Sequence, residues 1–182
     1  MQDEAEMSLF PTLTRTWMPR GKQRKVKAPG VRPTKRHEVA ATDWRTGAIV
    51  RVRSEKRNAE AFCQLVEQCI ERSARRKRRV IIVTDSPRFH KPETSKRVAQ
   101  LLARYGRRLK IRYLPGYSPE CQPMELLWND WRDHVTHNHE RDHIDELEGD
   151  SDQYFAQCDC DPNAVLRRLG SPFESTAQNR RY

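Results

Sequence analysis

At 182 residues, with 36% hydrophobic and 33% charged side chains, the chain has the length for one domain with a proper core and surface to spare. No stretch approaches the roughly 18 apolar residues that span a bilayer, and the acidic opening MQDEAEMSLF lacks the apolar core of a signal peptide. Lys and Arg number 35 against 25 Asp and Glu, a net charge of +10, which points to a polyanionic partner, nucleic acid rather than membrane, because no apolar amphipathic anchor accompanies the charge.

The excess is uneven: Arg15–Arg36 and Arg72–Arg79 are strongly basic, while Glu140–Asp161 is acidic. A basic surface that only keeps the chain soluble is the competing reading. The five cysteines contain no Cys-x-x-Cys pair. Cys63 and Cys69 read as core fillers in a helix. Cys158 and Cys160, with His137, His139 and His143 upstream, lack the spacing of a zinc knuckle. A reducing, cytoplasmic setting follows.

In chain order, the first informative residue is Asp3, which by position alone is a frayed terminal acid. Pro19 to Arg36 is basic and punctuated by Gly21, Pro29, Gly30 and Pro33, so it reads as a loop or loose hairpin. His37–Asp43 and Ala48–Arg53 alternate around Trp44-Arg45-Thr46-Gly47 and predict an antiparallel hairpin. Ala59, Phe62, Cys63, Val66, Cys69 and Ile70 recur at helical spacing and predict a helix over 58–73 with one buried face. A basic connector leads into Val80–Val83, a β-branched strand that ends at Asp85.

Ser86-Pro87-Arg88-Phe89-His90 is a stiff loop. Thr94 or Ser95 caps the next helix, whose apolar face is Val98, Leu101, Leu102 and Tyr105, and Gly106 ends it. Leu109–Leu114 is a second strand. Pro115 and Pro119 forbid regular structure in the turn that follows, and Pro123 suits the first turn of a new helix. That helix buries Met124, Leu127, Trp128 and Trp131 and holds Glu125 near its positive end. Asp142–Ala156 reads as an acidic helix broken at Gly149, and Asp161–Leu169 as a short one. Residues 174–182 carry no pattern and are expected to be disordered.

Two acids at a strand end and a helix start, separated by a strand–helix–strand unit, suit a divalent-metal site in an α/β fold, since magnesium takes oxygen ligands and few protein carboxylates. The same acids also fit a plain strand end and a solvated helix face. The words around them decide. TDSPRFHK followed by LPGYSPECQPMELLW resembles the paired motifs of DDE-superfamily endonucleases, the mariner-like bacterial insertion-sequence transposases. Asp85 and Glu125, 40 positions apart, fall on the second and third acids of that family. QDEAEMSLFPTLTRTWMPRG resembles its first motif through Asp3, Arg15, Trp17 and Gly21.

The resemblance covers residues 1–173 and implies an RNase H-like (retroviral-integrase-like) α/β fold, a mixed sheet flanked by helices, as one catalytic domain. In that fold Asp3 and Asp85 sit on adjacent strands roughly 4.8 Å apart. It implies two Mg²⁺ (or Mn²⁺) ions held by Asp3, Asp85 and Glu125, cutting of DNA at transposon ends, and joining of the freed 3′-hydroxyl to target DNA at TA steps. It implies a homodimer, clamped by the segment after the first strand, working on DNA in the cytoplasm with the nucleoid. Arg20, Lys22, Arg24, Lys25, Arg88, His90, Lys91 and Lys96 are the candidate nucleic-acid contacts, with the 75–79 cluster beside them. A fragment that binds nucleic acid without cutting it, or a hydrolytic nuclease of the same fold, remains open.

Departures from the family pattern are Ser86 and Gln122, both standing where relatives carry Asn. Relatives also have an N-terminal helix-turn-helix region, for which there is no room before Asp3. A central strand runs about five or six residues, yet only Met1 and Gln2 precede Asp3. The apolar anchors of that strand are therefore expected to be missing. The expectation that follows is the C-terminal part of a longer transposase, poorly stable and weakly active on its own.

Overall fold

The computed structural model describes residues 1–30, 34–74, 78–116 and 118–174. The tail from 175 onward, the 75–77 part of the basic cluster and Tyr117 of the third-acid motif lie outside the described residues. The elements are β1 (Gln2–Ser8), β2 (Lys35–Thr42), β3 (Ile49–Ser54), α1 (Ala59–Ala74), β4 (Val80–Thr84), α2 (Lys96–Tyr105), β5 (Leu109–Tyr113), α3 (Met124–Val135), α4 (Ile144–Cys160) and α5 (Pro162–Arg168). Ser95 caps α2, its hydroxyl accepting from the Val98 N–H.

Strands β1, β2 and β3 form an antiparallel sheet in which Asp3 lies opposite Ala40 and Val39 opposite Val52. Strands β4 and β5 pair in parallel, Val80 beside Leu109 and Thr84 beside Tyr113. The core has three parts among the described residues, one of which, Val39, Ala41, Val52, Ala61 and Leu65, seats α1 on β2 and β3. Met7, Leu9, Trp128, Trp131, Leu147 and Phe155 join β1 to α3 and α4. Phe62, Val66, Ile70, Ile82, Val98 and Leu109 join α1 and α2 to β4–β5.

Three expectations are corrected. Asp3 sits near the beginning of β1 and not at its end, and the apolar anchors come after it: Ala5, Met7 and Leu9 are all buried. Second, β1 and β4 belong to separate ladders. They touch where Thr84, the last residue of β4, donates its hydroxyl to the Gln2 side chain at the first residue of β1. The end of β4 meets the beginning of β1 there. Third, α4 runs unbroken through Gly149. A glycine costs a helix interior about 1 kcal/mol. Burial of Leu147, Tyr154 and Phe155 outweighs that, at roughly 1.5–3 kcal/mol per large apolar side chain.

Helix α4 is also fixed by charge. Glu38 on β2 is fully buried and meets Arg53 at 2.7 Å, and Arg53 reaches Asp152 at 2.8 Å. Ser151 donates its hydroxyl to Glu38 at 2.9 Å and accepts from the Trp131 indole at 3.0 Å. Removing one partner of such a network strands a buried charge, which is where its rigidity originates.

The β2–β3 turn closes on Gly47, which has φ of +74° and lies so close to α5 that a Cβ would sit 2.0 Å from the Pro162 carbonyl oxygen. Gly47→Ala is expected to lower stability by about 2 kcal/mol or more, read by urea unfolding. Gly21→Ala, with similar φ of +79° and open space around it, is expected to cost about half that. Equal losses would contradict the steric account.

Candidate active site

The start of β1 brings two acids inward. Asp3 is 8% exposed, and the side chain of the next residue, Glu4, is 2% exposed. Asp85 follows β4 directly, and Glu125 is the second residue of α3. The approach of α3 to β1 has a local cause. Gln122, buried just before the helix, donates its amide to the Gln2 carbonyl at 3.1 Å, the residue preceding Asp3. Met124 and Leu127 on either side of Glu125 are fully buried, so α3 is anchored while Glu125 stays half-exposed.

Electrostatics tie the three acids together. Burial pushes the Asp3 carboxyl up to about 7. The backbone N–H of Glu4 opposes the rise, and the charges of Glu125, Asp85 and Glu4 add to it. Asp85 behaves in the opposite way. Burial pushes it up, but His90, the Thr84 hydroxyl and Arg57 outweigh burial and hold it below its ordinary value. Its Oδ1 lies 3.3 Å from His90 Nδ1 and its Oδ2 3.9 Å from Arg57. Glu125 has Arg132 at 3.6 Å.

His90 corrects an expectation. It is completely buried, stacked on Phe62 with ring centroids 4.0 Å apart, and so is out of reach of a phosphate. Nε2 donates to Glu4 at 3.1 Å while Nδ1 faces Asp85 and Thr84. Burial works against its charge, but Asp85 and Glu4 raise its pKa overall. Glu4 is held a second time by Arg57. The sequence reading missed Glu4 and Arg57; the available signal was an acid adjacent to Asp3 on a strand too short to leave it in solvent.

The other candidate contacts divide by place. Arg88 and Lys96 are exposed and Lys91 half-buried around the turn after Asp85. Arg20, Lys22 and Lys25 are exposed on the segment after β1. That segment runs beside the end of α3: Thr12 bridges His137, and Arg24 and Lys27 pair with Glu140 and Asp142 at 3.1 and 3.2 Å.

The donors of Asp3, Asp85 and Glu125 are all carboxylate oxygens, the set that suits magnesium or manganese, and the buried charge cluster around Asp3 is what a divalent cation would neutralise. They fit such an ion by chemistry. Among the described residues no three His, Cys, Asp or Glu side chains are gathered into a ready ligand set; Asp85 and Glu125 each lean toward a cation of their own.

The sequence profile of the DDE superfamily endonucleases matches residues 1–148. An uncharacterised 39 kDa protein of insertion element IS630 from Shigella sonnei is 27% identical over 139 residues, 76% of this chain and 39% of that protein. The Mos1 strand transfer complex superposes with a TM-score of 0.62 at 19% identity, over 97% of this chain and 51% of that one. The mariner Mos1 paired end complex with Mg gives 0.58 at 19% identity, over 97% and 54%. The chain thus spans about half or less of the proteins it matches, and its fold is RNase H-like. Among the described residues no helix is long and apolar enough to cross a membrane.

The raised Asp3 value has a thermodynamic sign. Between the ordinary value of 3.8 and about 7 the folded chain keeps a proton that the unfolded chain has released, so stability falls as pH rises through that window. With chelator present, Asp3→Asn is expected to melt higher than wild type by roughly 5 °C or more above pH 7, at about 2–4 °C per kcal/mol. The gain should shrink steadily toward pH 4. A gain independent of pH would contradict the burial of an acid.

Proposed function

From the premise that the chain belongs to the DDE superfamily endonucleases, we propose that it is the catalytic part of an insertion-sequence transposase, a metal-dependent DNA endonuclease and strand transferase. The observation that carries the reading is the placement of the three acids: Asp3 buried at the start of β1, Asp85 at the end of β4 where Thr84 meets Gln2, and Glu125 on the first turn of α3, which Gln122 ties to β1. Asp3, Asp85 and Glu125 would hold two Mg²⁺ or Mn²⁺ ions through oxygen. Bound there, such ions supply an activated water and neutralise charge on the attacking and leaving oxygens of a phosphodiester.

The remaining roles belong to the chain's own groups. His90, braced by Glu4, fixes the direction of the Asp85 carboxylate, and Thr84 reinforces it. Gln122 holds α3 so that Glu125 stays beside Asp3. Arg88, Lys91 and Lys96 follow Asp85 in sequence and offer cations to the DNA backbone, which fix register without reading sequence. Arg20, Lys22, Arg24 and Lys25 extend that contact. In cleavage, water adds to phosphorus and the 3′-oxygen leaves as a hydroxyl. In joining, that hydroxyl attacks a target phosphodiester and the target's 3′-oxygen leaves. DNA is the substrate in both steps, and a second copy of the chain is the partner expected from the dimeric architecture of such transposases. The setting is the cytoplasm, at the nucleoid.

Nicking of supercoiled plasmid should require Mg²⁺ or Mn²⁺ and fall to background in Asp85→Ala. A precut 3′-hydroxyl end should be joined to target DNA. Wild type that binds DNA without nicking it at any metal concentration would favour the binding-only alternative; nicking without joining would favour a hydrolytic nuclease.

His90→Gln gives a separate test of positioning. Losing a group that orients a metal ligand typically costs about 10- to 100-fold in metal affinity. The Mg²⁺ concentration for half-maximal nicking should therefore rise roughly 10-fold or more, with DNA affinity unchanged. The Mg²⁺ needed to raise the melting temperature should shift in parallel. No shift in either curve would remove His90 from the site.

A further inference from the structure

Strands β4 and β5 have one covered face and one open face. Val80, Ile82, Leu109 and Ile111 pack toward α1 and α2. The parallel register pairs Ile81 with Lys110 and Val83 with Arg112, so these four share the other face. There Ile81 is 55% exposed, and Lys110 and Arg112 are exposed as well. At the beginning of both strands Arg78, Arg79, Arg107 and Arg108 line an open cleft of about 490 Å³. Arg79 is braced by the Arg107 carbonyl at 3.0 Å and Arg108 by the Ile70 carbonyl at 3.5 Å. Among the described residues none of these six cations has an ion-pair partner, whereas Arg97 and Arg104 on neighbouring α2 pair with Glu60 and Glu67.

We propose that the arginine cleft and the open face of β4–β5 form one track for a DNA backbone, leading to the acids at the far end of β4. The inference rests on the reading of the chain as a DNA endonuclease and adds a binding surface to it. Four unpaired arginines in the cleft beside the end of α1 and two unpaired cations on the sheet face beyond it give a field that phosphates, not a neutral surface, complement. Exposed Ile81 and half-buried Val83 lie on the same face, where deoxyribose can cover apolar area. β4 is five residues long, so the cleft stands roughly 17 Å from Asp85 at about 3.3 Å per residue. That is about five base-pair steps at 3.4 Å.

The test is the salt dependence of duplex binding, read by fluorescence anisotropy with a 30-base-pair DNA over a KCl series. Each phosphate contact contributes about 0.9 to the slope of log K against log salt. Replacing Arg78, Arg79, Arg107 and Arg108 by Gln should lower the slope by roughly 3.6, and replacing them by Lys should leave it close to wild type. Lys110→Gln with Arg112→Gln, on an exposed strand face, gives a second reading with an expected loss of roughly 2. Arg104→Gln, which removes a paired arginine, should leave the slope unchanged, and circular dichroism should report the same fold throughout.

An unchanged slope in both variants overturns the track. So does an unchanged slope accompanied by loss of a dimer in sedimentation, which would assign the arginines to an acidic surface of a second copy. These outcomes are separable from the parent reading. Wild type that nicks DNA with unaltered slopes in the variants loses only the track, whereas wild type that neither binds nor nicks loses both.

Discussion

Asp3 and Glu4 are two consecutive carboxylates taken out of water at the start of β1, and the rest of the fold is arranged around holding them there. Burying an ionised carboxylate without a partner is costly enough that the group keeps its proton or recruits cations. The two residues take different courses. Glu4 is satisfied within the protein by His90 and Arg57. Asp3 makes no ion pair among the described residues, and burial first, then the charges of three other acids, push its carboxyl up to about 7. A strand alternates its faces, so neighbouring acids are turned to neighbouring environments, one structural and one open to chemistry.

The elements that carry Asp85 and Glu125 are anchored by other, buried residues. Helix α3 is held by five buried side chains, Met124, Leu127, Trp128, Trp131 and Val135, and by the Gln122 bond to β1. Glu125 emerges beside them with its own carboxylate half-exposed. β4 is held by the parallel ladder to β5 and by α1, so that Asp85 projects from its end. The cost of gathering like charges is therefore borne by packing made elsewhere, as it must be when stability is a small difference between large terms.

Much of this was legible in the sequence because its signals are local. The β2–β3 hairpin, α1, β4, the Ser95 cap and the Pro123 start of α3 each follow from spacing, branching or turn chemistry within a few residues. The motif around Glu125 was legible because its glutamine ties the start of α3 to β1 and Pro123 opens the helix. What was missed depends on contacts between distant residues. Gly149 looked like a break because no local rule shows that Arg53 and Trp131 hold α4 on both sides of it. His90 looked like a phosphate ligand because its neighbours Arg88 and Lys91 are basic, whereas Phe62 and Phe89 pack against its ring and Glu4 and Thr84 meet its nitrogens. The position of Asp3 within β1 was misjudged because the anchors Met7 and Leu9 follow it and do not precede it.

The central claim is that Asp3, Asp85 and Glu125 close around divalent cations as one site. Anomalous diffraction from crystals of the chain grown with Mn²⁺ addresses it most directly. The account predicts manganese peaks bounded by oxygens of these three carboxylates, with His90 still bridging Glu4 and Asp85. Manganese bound elsewhere, with the Glu125 carboxylate turned toward Arg132 and away from Asp3, would contradict it.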